Sequence, residues 1–173
     1  MTFLQRIFGG ARQRAALQPL YRATVAAGRD PLWYRDGRVP DTIDGRFDMV
    51  AAVAALVLLR LEAEGAAGRE PARLLTELFI DDMDATLRQI GIGDHVVGKH
   101  VGRMMGALGG RLAAFGAARS GAGSFDAAAR RNIFHDAPPS DAAVALVAQR
   151  LEALSRDVDA LPVAALLEGR LSA

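Results

Sequence analysis

Few side chains in this chain have types and spacings that could do chemistry. The histidines are His95, His100 and His135, and the first two are five residues apart. Side chains five apart on a helix lie on different faces, so this pair does not match the spacing of a helical metal site. Three aspartates lie close together in the sequence, at Asp41, Asp44 and Asp48. Helix capping and salt bridging explain them without a metal ion. We therefore predict no metal and no cofactor.

Catalytic sequence motifs are also missing. The chain has no HExxH, phosphate-binding loop, dinucleotide-binding glycine motif after a strand, or GxSxG. It has no cysteine, which excludes disulfides and cysteine-based metal sites. We expect a protein that is not an enzyme. A cryptic enzyme or haem carrier using His95 or His100 is the alternative, and a haem titration would test it.

Composition predicts an all-α protein built as a single compact multi-helix domain. The chain has 173 residues, of which 51% are hydrophobic but only 6% aromatic. Alanine supplies much of the apolar content, and alanine is the best helix former. The longest apolar run, residues 49–59, is shorter than the roughly 20 residues of a membrane-spanning helix, so it predicts a buried core helix.

Charge is distributed unevenly along the chain. Residues 1–38 hold seven arginines and two aspartates, whereas the remainder has a net negative charge. Residues 1–17 are predicted to form an amphipathic, basic N-terminal arm, and residues 18–173 the helical domain. The apolar face of the arm could contact a membrane or dock on the domain, and its largest residues are Phe3, Leu4, Ile7 and Phe8.

Periodicity and capping residues place the remaining elements. Residues 29–45 are expected to form an ordered loop, which Trp33 and Tyr34 attach to the body of the domain. Ser124 and Ser140 are expected to cap the last two longer helices. The predicted helices cover residues 3–17, 18–28, 44–64, 71–90 and 95–118, then one after Ser124, one after Ser140 and a terminal turn after Pro162.

The helix over residues 71–90 carries a carboxylate at an unusual place. Asp82 lies at the border of a predicted buried stripe, where it needs a partner or a position on a rim. A salt bridge to a neighbouring arginine such as Arg46 is one interpretation, and a rim charge beside a binding groove is the other. The stripe itself is formed by Leu75, Phe79, Met83, Leu87 and Ile90.

The helix over residues 95–118 has a face of small residues, which we call the glycine face: Gly98, Gly102, Gly106, Gly109 and Ala113. Each glycine inside a helix costs about 0.5–1 kcal/mol relative to alanine, so the face needs a compensating close contact. The contact is either internal, with the alanines of helix 44–64, or made by an apolar helix of another protein. Gly102→Leu should unfold the protein in the first case and abolish binding in the second.

Two segments together resemble a known family. They are residues 39–47, VPDTIDGRF, and residues 79–99, FIDDMDATLRQIGIGDHVVGK, and they are accompanied by Leu20-Tyr21, Arg29, Pro31 and Gly110-Arg111. In order and spacing they resemble the ubiquinol–cytochrome c chaperone family over about residues 18–160. Leu108-Gly109 departs from the family, whose members tend to carry aromatic residues there.

The resemblance implies an all-helical assembly chaperone without catalytic residues. Family members in mitochondria bind newly made cytochrome b, work with a small partner protein and act near the ribosome. With 20 arginines and one lysine, the chain has a composition typical of GC-rich bacterial genes. We therefore expect a bacterial cytoplasmic protein, peripheral to the inner membrane, that binds cytochrome b during biogenesis of the ubiquinol–cytochrome c reductase (bc1) complex.

The expected partners are cytochrome b, the inner-membrane surface and a small assembly protein, with no specific nucleic acid. A helical scaffold or adaptor for soluble partners, without catalysis, is the alternative. The predicted client-binding set combines rim charges with the glycine face. It consists of Asp41, Arg46, Asp82, Lys99, Gly102, Arg103 and Arg111.

Overall fold

A computed structural model describes residues 3–89 and 94–171. Within these ranges, the side chains of residues 3–11, 87, 94–97, 99 and 100 are not described. All regular elements in these ranges are helices, which confirms the all-α prediction. They are α1 (Phe3–Gly28), α2 (Pro31–Arg35), α3 (Ile43–Glu62), α4 (Ala66–Gln89), α5 (Asp94–Arg119), α6 (Phe125–Asn132), α7 (Asp141–Ala160) and α8 (Val163–Leu167).

Helix α3 lies at the centre of the domain. Residues 48–58 are all buried, as expected for a helix that is apolar on nearly every side. Helices α1, α4, α5 and α7 pack around α3, while α6 packs on α5 and α7, and α8 packs on α1. The prediction of a buried central helix is therefore confirmed.

Helix α1 is continuous, so the two helical pieces predicted on either side of residue 17 were wrong. Pro19 lies inside α1 and removes one backbone hydrogen bond. Leu17, Leu20 and Tyr21 are buried around it and hold the helix against its neighbours. The boundary between the proposed arm and the domain is therefore not marked by a helix break. The side chains of Phe3, Leu4, Ile7 and Phe8 lie outside the description, and their membrane contact stays a prediction.

The segment between α1 and α3 contains one short helix, α2, where a loop was predicted. Asp30 caps α2 by accepting a hydrogen bond from the Leu32 amide at 2.8 Å. The Trp33 indole donates to the carbonyl of Ala27 at 2.7 Å, and the Tyr34 hydroxyl donates to that of Gly28 at 2.9 Å. The predicted attachment of this segment by its two aromatic residues is confirmed.

Helix α4 begins at Ala66, five residues before the start that Pro71 suggested. Gly68, which falls between the two predicted helices, instead lies inside α4. A Cβ atom at this position would lie 1.7 Å from the carbonyl oxygen of Leu61, so only glycine allows the first turn of α4 to approach the end of α3. Further along α4, the predicted stripe is buried at Leu75, Phe79 and Met83.

The predicted serine caps are confirmed. Ser124 accepts a hydrogen bond from the Ala127 amide at 3.1 Å at the start of α6. Ser140 accepts one from the Ala143 amide at 3.1 Å at the start of α7. The apolar residues of α7 repeat at three- and four-residue spacing and are buried, at Val144, Val147, Leu151, Leu154 and Val158.

Candidate functional site

The turn into α3 is held by local contacts that explain its sequence. Thr42 caps α3 and accepts a hydrogen bond from the Gly45 amide at 3.1 Å. A Cβ atom on Gly45 would lie 2.0 Å from the carbonyl oxygen of Pro40, so the turn requires glycine there. Arg46 Nε donates to Asp41 at 2.6 Å across the turn. This exposed pair holds the pKa of Asp41 below its ordinary value and raises that of Arg46.

A buried ion pair lies directly beneath this turn. Arg111 on α5 donates to Asp48 on α3 and to the carbonyl of Asn132, and its side chain is 3% exposed. His135 approaches the other carboxylate oxygen of Asp48, with Nε2 at 2.8 Å. The guanidinium of Arg111 also lies over the ring of Phe47, at 5.7 Å from its centroid. The network joins α3, α5 and the loop after α6.

Burial dominates the electrostatics of this pair. Desolvation raises the pKa of Asp48 above its ordinary value, although Arg111 and His135 act in the opposite direction. Desolvation likewise lowers the pKa of Arg111, opposed by Asp48. The Nε of Arg111 is buried and has no hydrogen-bond partner among the residues that the structure describes. Each charge therefore depends on the other, because removal of either one leaves the remaining charge buried.

An open cleft of about 610 Å³ lies above the ion pair, between the start of α3 and α5. We call it the α3–α5 cleft. Its apolar floor is formed mainly by Phe47, Met104 and Ile133. Arg103 and Arg111 both line the cleft. Arg103 is exposed, whereas Arg111 is buried and forms an ion pair with Asp48. The described lining residues are Pro40, Thr42, Asp44, Gly45, Phe47, Asp48, Arg103, Met104, Ala107, Arg111, Ile133 and His135.

A second cleft, of about 540 Å³, lies on the other side of the same turn. We call it the arginine cleft, and it is lined by Arg29, Pro31, Tyr34, Arg35, Asp41 and Arg46. Ile43, the first residue of α3, follows this turn and is 56% exposed. The turn with Asp41 and Arg46 therefore separates two concave surfaces and is followed by an exposed apolar side chain.

Asp82 has a different partner from the one expected. The hydroxyl of Tyr21 on α1 donates to Asp82 at 2.6 Å, while Arg46 is paired with Asp41. The predicted salt bridge from Asp82 to Arg46 was therefore wrong, because each side chain has a nearer partner. Burial and the bond to Asp82 raise the pKa of Tyr21, so its hydroxyl remains a donor. Asp82 is partly exposed and ties α1 to α4.

The glycine face of α5 points away from α3. At Gly98, Gly102, Gly106 and Gly109, an added Cβ atom would meet no described atom within 4 Å, and each glycine is exposed. Ala113 is also exposed. The expectation that the face packs on the alanines of α3 was wrong, because α3 contacts the opposite side of α5. Leu108 and Phe115 on that side are buried.

The remaining candidate site residues are Lys99 and the three histidines. The side chains of Lys99, His95 and His100 are not among those described. His135 contacts Asp48. In the described part, no group of three or more His, Cys, Asp or Glu residues is arranged to hold a metal ion. No described helix is long and apolar enough to cross a membrane.

An all-α domain with two open clefts and an uncovered helix face offers surfaces on which another protein can be held. The chain belongs to the ubiquinol-cytochrome C chaperone family, whose model matches residues 35–173. It is similar to the crystal structure of the Cbp3 homolog from Brucella abortus, with a TM-score of 0.78 and 30% sequence identity. The similarity covers 99% of this chain and 96% of that chain. A comparison with curated proteins gives no match.

Proposed function

We propose that this protein is an assembly chaperone that binds newly made cytochrome b during biogenesis of the bc1 complex. Membership of the ubiquinol-cytochrome C chaperone family supports the chaperone role. We choose the glycine face of α5 as the client surface because the described residues leave it uncovered. This face lies on the opposite side of α5 from the apolar residues that pack on the core. The role is one of binding, without catalysis.

The glycine face suits a membrane-protein client for two physical reasons. Glycines in an exposed helix cost stability, and nothing within the described chain offsets this cost by close packing. Small residues at four-residue spacing allow the backbones of two helices to approach closely, as in membrane-helix pairs. In addition, residues 95–125 contain no aspartate or glutamate. Helix α5 after Asp94 therefore offers this face to an apolar helix without any carboxylate of its own.

The proposed client-binding residues have different roles around this surface. Arg103 is exposed at the edge of the α3–α5 cleft, while the pair of Asp41 and Arg46 borders the turn between the clefts. Arg111 is buried, so we assign it the support of the cleft floor. The full proposed set remains Asp41, Arg46, Asp82, Lys99, Gly102, Arg103 and Arg111.

We place the protein in the bacterial cytoplasm at the surface of the inner membrane. The proposed arm, residues 1–17, would contact lipid through Phe3, Leu4, Ile7 and Phe8. Residues 18–173 would then hold the client beside the membrane, together with a small assembly partner. A cytoplasmic location leaves the protein on the side from which a membrane client is inserted.

Deletion of the gene in the native organism tests the proposed function. We expect cytochrome b to fall to a small fraction of its normal level, because the unassembled client would be degraded, while membrane proteins outside the bc1 complex stay unchanged. Quantitative mass spectrometry of membranes measures both groups, and a plasmid copy of the gene provides the control. Normal cytochrome b together with altered soluble complexes would instead favour a helical adaptor.

A further inference from the structure

The arginine cleft gathers three guanidinium groups around one lining carboxylate. Arg29 makes no ion pair with any residue that the structure describes. Arg35 donates to Asp36 at 2.8 and 3.0 Å, and Arg46 donates to Asp41 at 2.6 Å. With Asp36 and Asp41 each paired to one arginine, the concave site keeps one guanidinium in excess, which favours an anionic ligand.

The two existing ion pairs in the cleft are open to exchange. The side chains of Arg35 and Asp36 are 70% and 41% exposed, and those of Arg46 and Asp41 are 58% and 56% exposed. Exposed pairs of this kind contribute little to stability because water screens them. An incoming oxyanion can therefore replace a carboxylate partner at small cost and engage the planar guanidinium groups, whose geometry fits phosphate oxygens.

Tyr34 gives this cleft a neutral wall. Its hydroxyl donates to the carbonyl of Gly28 at 2.9 Å, which fixes the ring beside the arginines. Burial raises the pKa of Tyr34, so the phenol adds no negative charge to the cleft. The guanidinium groups of Arg29, Arg35 and Arg46 are therefore the groups available to an anion.

The surface that leads away from the cleft indicates an extended anionic partner. Residues 1–29 contain no aspartate or glutamate, and Arg12 and Arg22 are exposed along α1. Arg29, at the cleft, directly follows α1. A ligand presented on a broad anionic surface can engage the exposed arginines of α1 as well as the cleft, whereas a small solute would use the cleft alone.

We propose that the arginine cleft binds the phosphate group of an anionic phospholipid and seats this end of the molecule on the membrane surface. The ligand chemistry is that of a phosphate oxyanion, held by Arg29, Arg35 and Arg46. This site would add a specific lipid contact to the proposed location at the inner-membrane surface, and the proposal rests on that location. It assigns a lipid contact to the folded domain, in addition to the contact expected of residues 1–17.

Vesicle binding by the full-length protein tests the proposal. Vesicles of phosphatidylcholine alone are compared with vesicles that also contain phosphatidylglycerol. The double variant Arg29→Gln/Arg35→Gln should bind the anionic vesicles roughly 25-fold more weakly, since each arginine near an anionic membrane contributes about fivefold. The matched control is Arg69→Gln/Arg131→Gln, which removes two exposed arginines outside the cleft and should bind nearly as wild type.

The remaining outcomes separate the alternatives. Equal losses in the two double variants would overturn the proposal, because binding would then depend only on overall charge. Binding of inorganic phosphate in the cleft without binding to anionic vesicles would identify a free phosphate as the ligand. It would overturn the proposal that the phosphate belongs to a phospholipid. The proposal would also be overturned if the cleft double variant lost binding to single-stranded RNA but kept its binding to anionic vesicles. Capture of cytochrome b by the cleft variants in detergent tests the proposed client binding separately.

Discussion

The Arg111→Met variant is expected to lose about 3–5 kcal/mol of unfolding free energy, the largest stability effect that we predict. Methionine fills part of the arginine volume but removes the buried cation beside the carboxylate of Asp48, which keeps the more exposed His135 as its described partner. A loss of this size is a large share of the roughly 5–15 kcal/mol that stabilises a typical domain. Urea unfolding followed by circular dichroism measures it.

The source of this loss can be verified by pH and by a second substitution. Because Asp48 without Arg111 should have a further raised pKa, acid favours its neutral form in the folded state, and the stability gap to wild type should narrow as pH falls. Adding Asp48→Asn should recover part of the loss. The control is Arg156→Met, which removes an exposed pair with Glu152 and should cost about 0.5 kcal/mol or less. A similar cost for Arg111→Met would contradict the importance of the buried pair.

The Gly102→Leu variant is expected to remain folded while its affinity for cytochrome b falls by more than tenfold. The position is exposed and an added side chain meets no described atom, so the fold has room for leucine. Leucine also has a higher helix propensity than glycine, by about 0.8 kcal/mol, and should not lower the melting temperature. The bulky side chain would, however, prevent a client helix from approaching α5 closely. Thermal melting and a binding assay with detergent-solubilised cytochrome b measure the two effects.

Ala142→Leu is a matched control for Gly102→Leu, because it adds a leucine at an exposed helical position on α7. It should leave both melting and client binding unchanged. A folded Gly102→Leu variant with full binding would contradict the proposed role of the glycine face. An unfolded variant would contradict its exposed position on α5.

Most of the helical framework could be predicted from local sequence signals. The apolar run of α3 and the repeat of α7 follow directly from periodicity, and Thr42, Ser124 and Ser140 cap helices where their side chains suggest it. These signals are local, because a cap or a stripe involves residues within a few turns. The start of α4 was missed because Pro71 suggested a first-turn position, whereas the close fit of Gly68 on α3 allows an earlier start.

The site was harder to predict because it depends on contacts between distant segments. Asp48 and Arg111 are 63 residues apart, and their pairing is not visible in either segment alone. A charged residue beside the apolar run of α3 was the available signal for this pair. The glycine face was recognised from its spacing, but spacing does not show which side of α5 faces the core. The partner of Asp82 likewise depended on how α1 packs on α4.

Affinity capture of the protein from solubilised membranes of the native organism is the most direct test of the chaperone account. Captured proteins are identified by mass spectrometry, and a haem absorbance spectrum reports whether captured cytochrome b carries haem. Our account predicts enrichment of cytochrome b without the mature set of its partner subunits, and a reduced yield with Gly102→Leu. Recovery of soluble proteins alone would contradict the account and favour a helical adaptor.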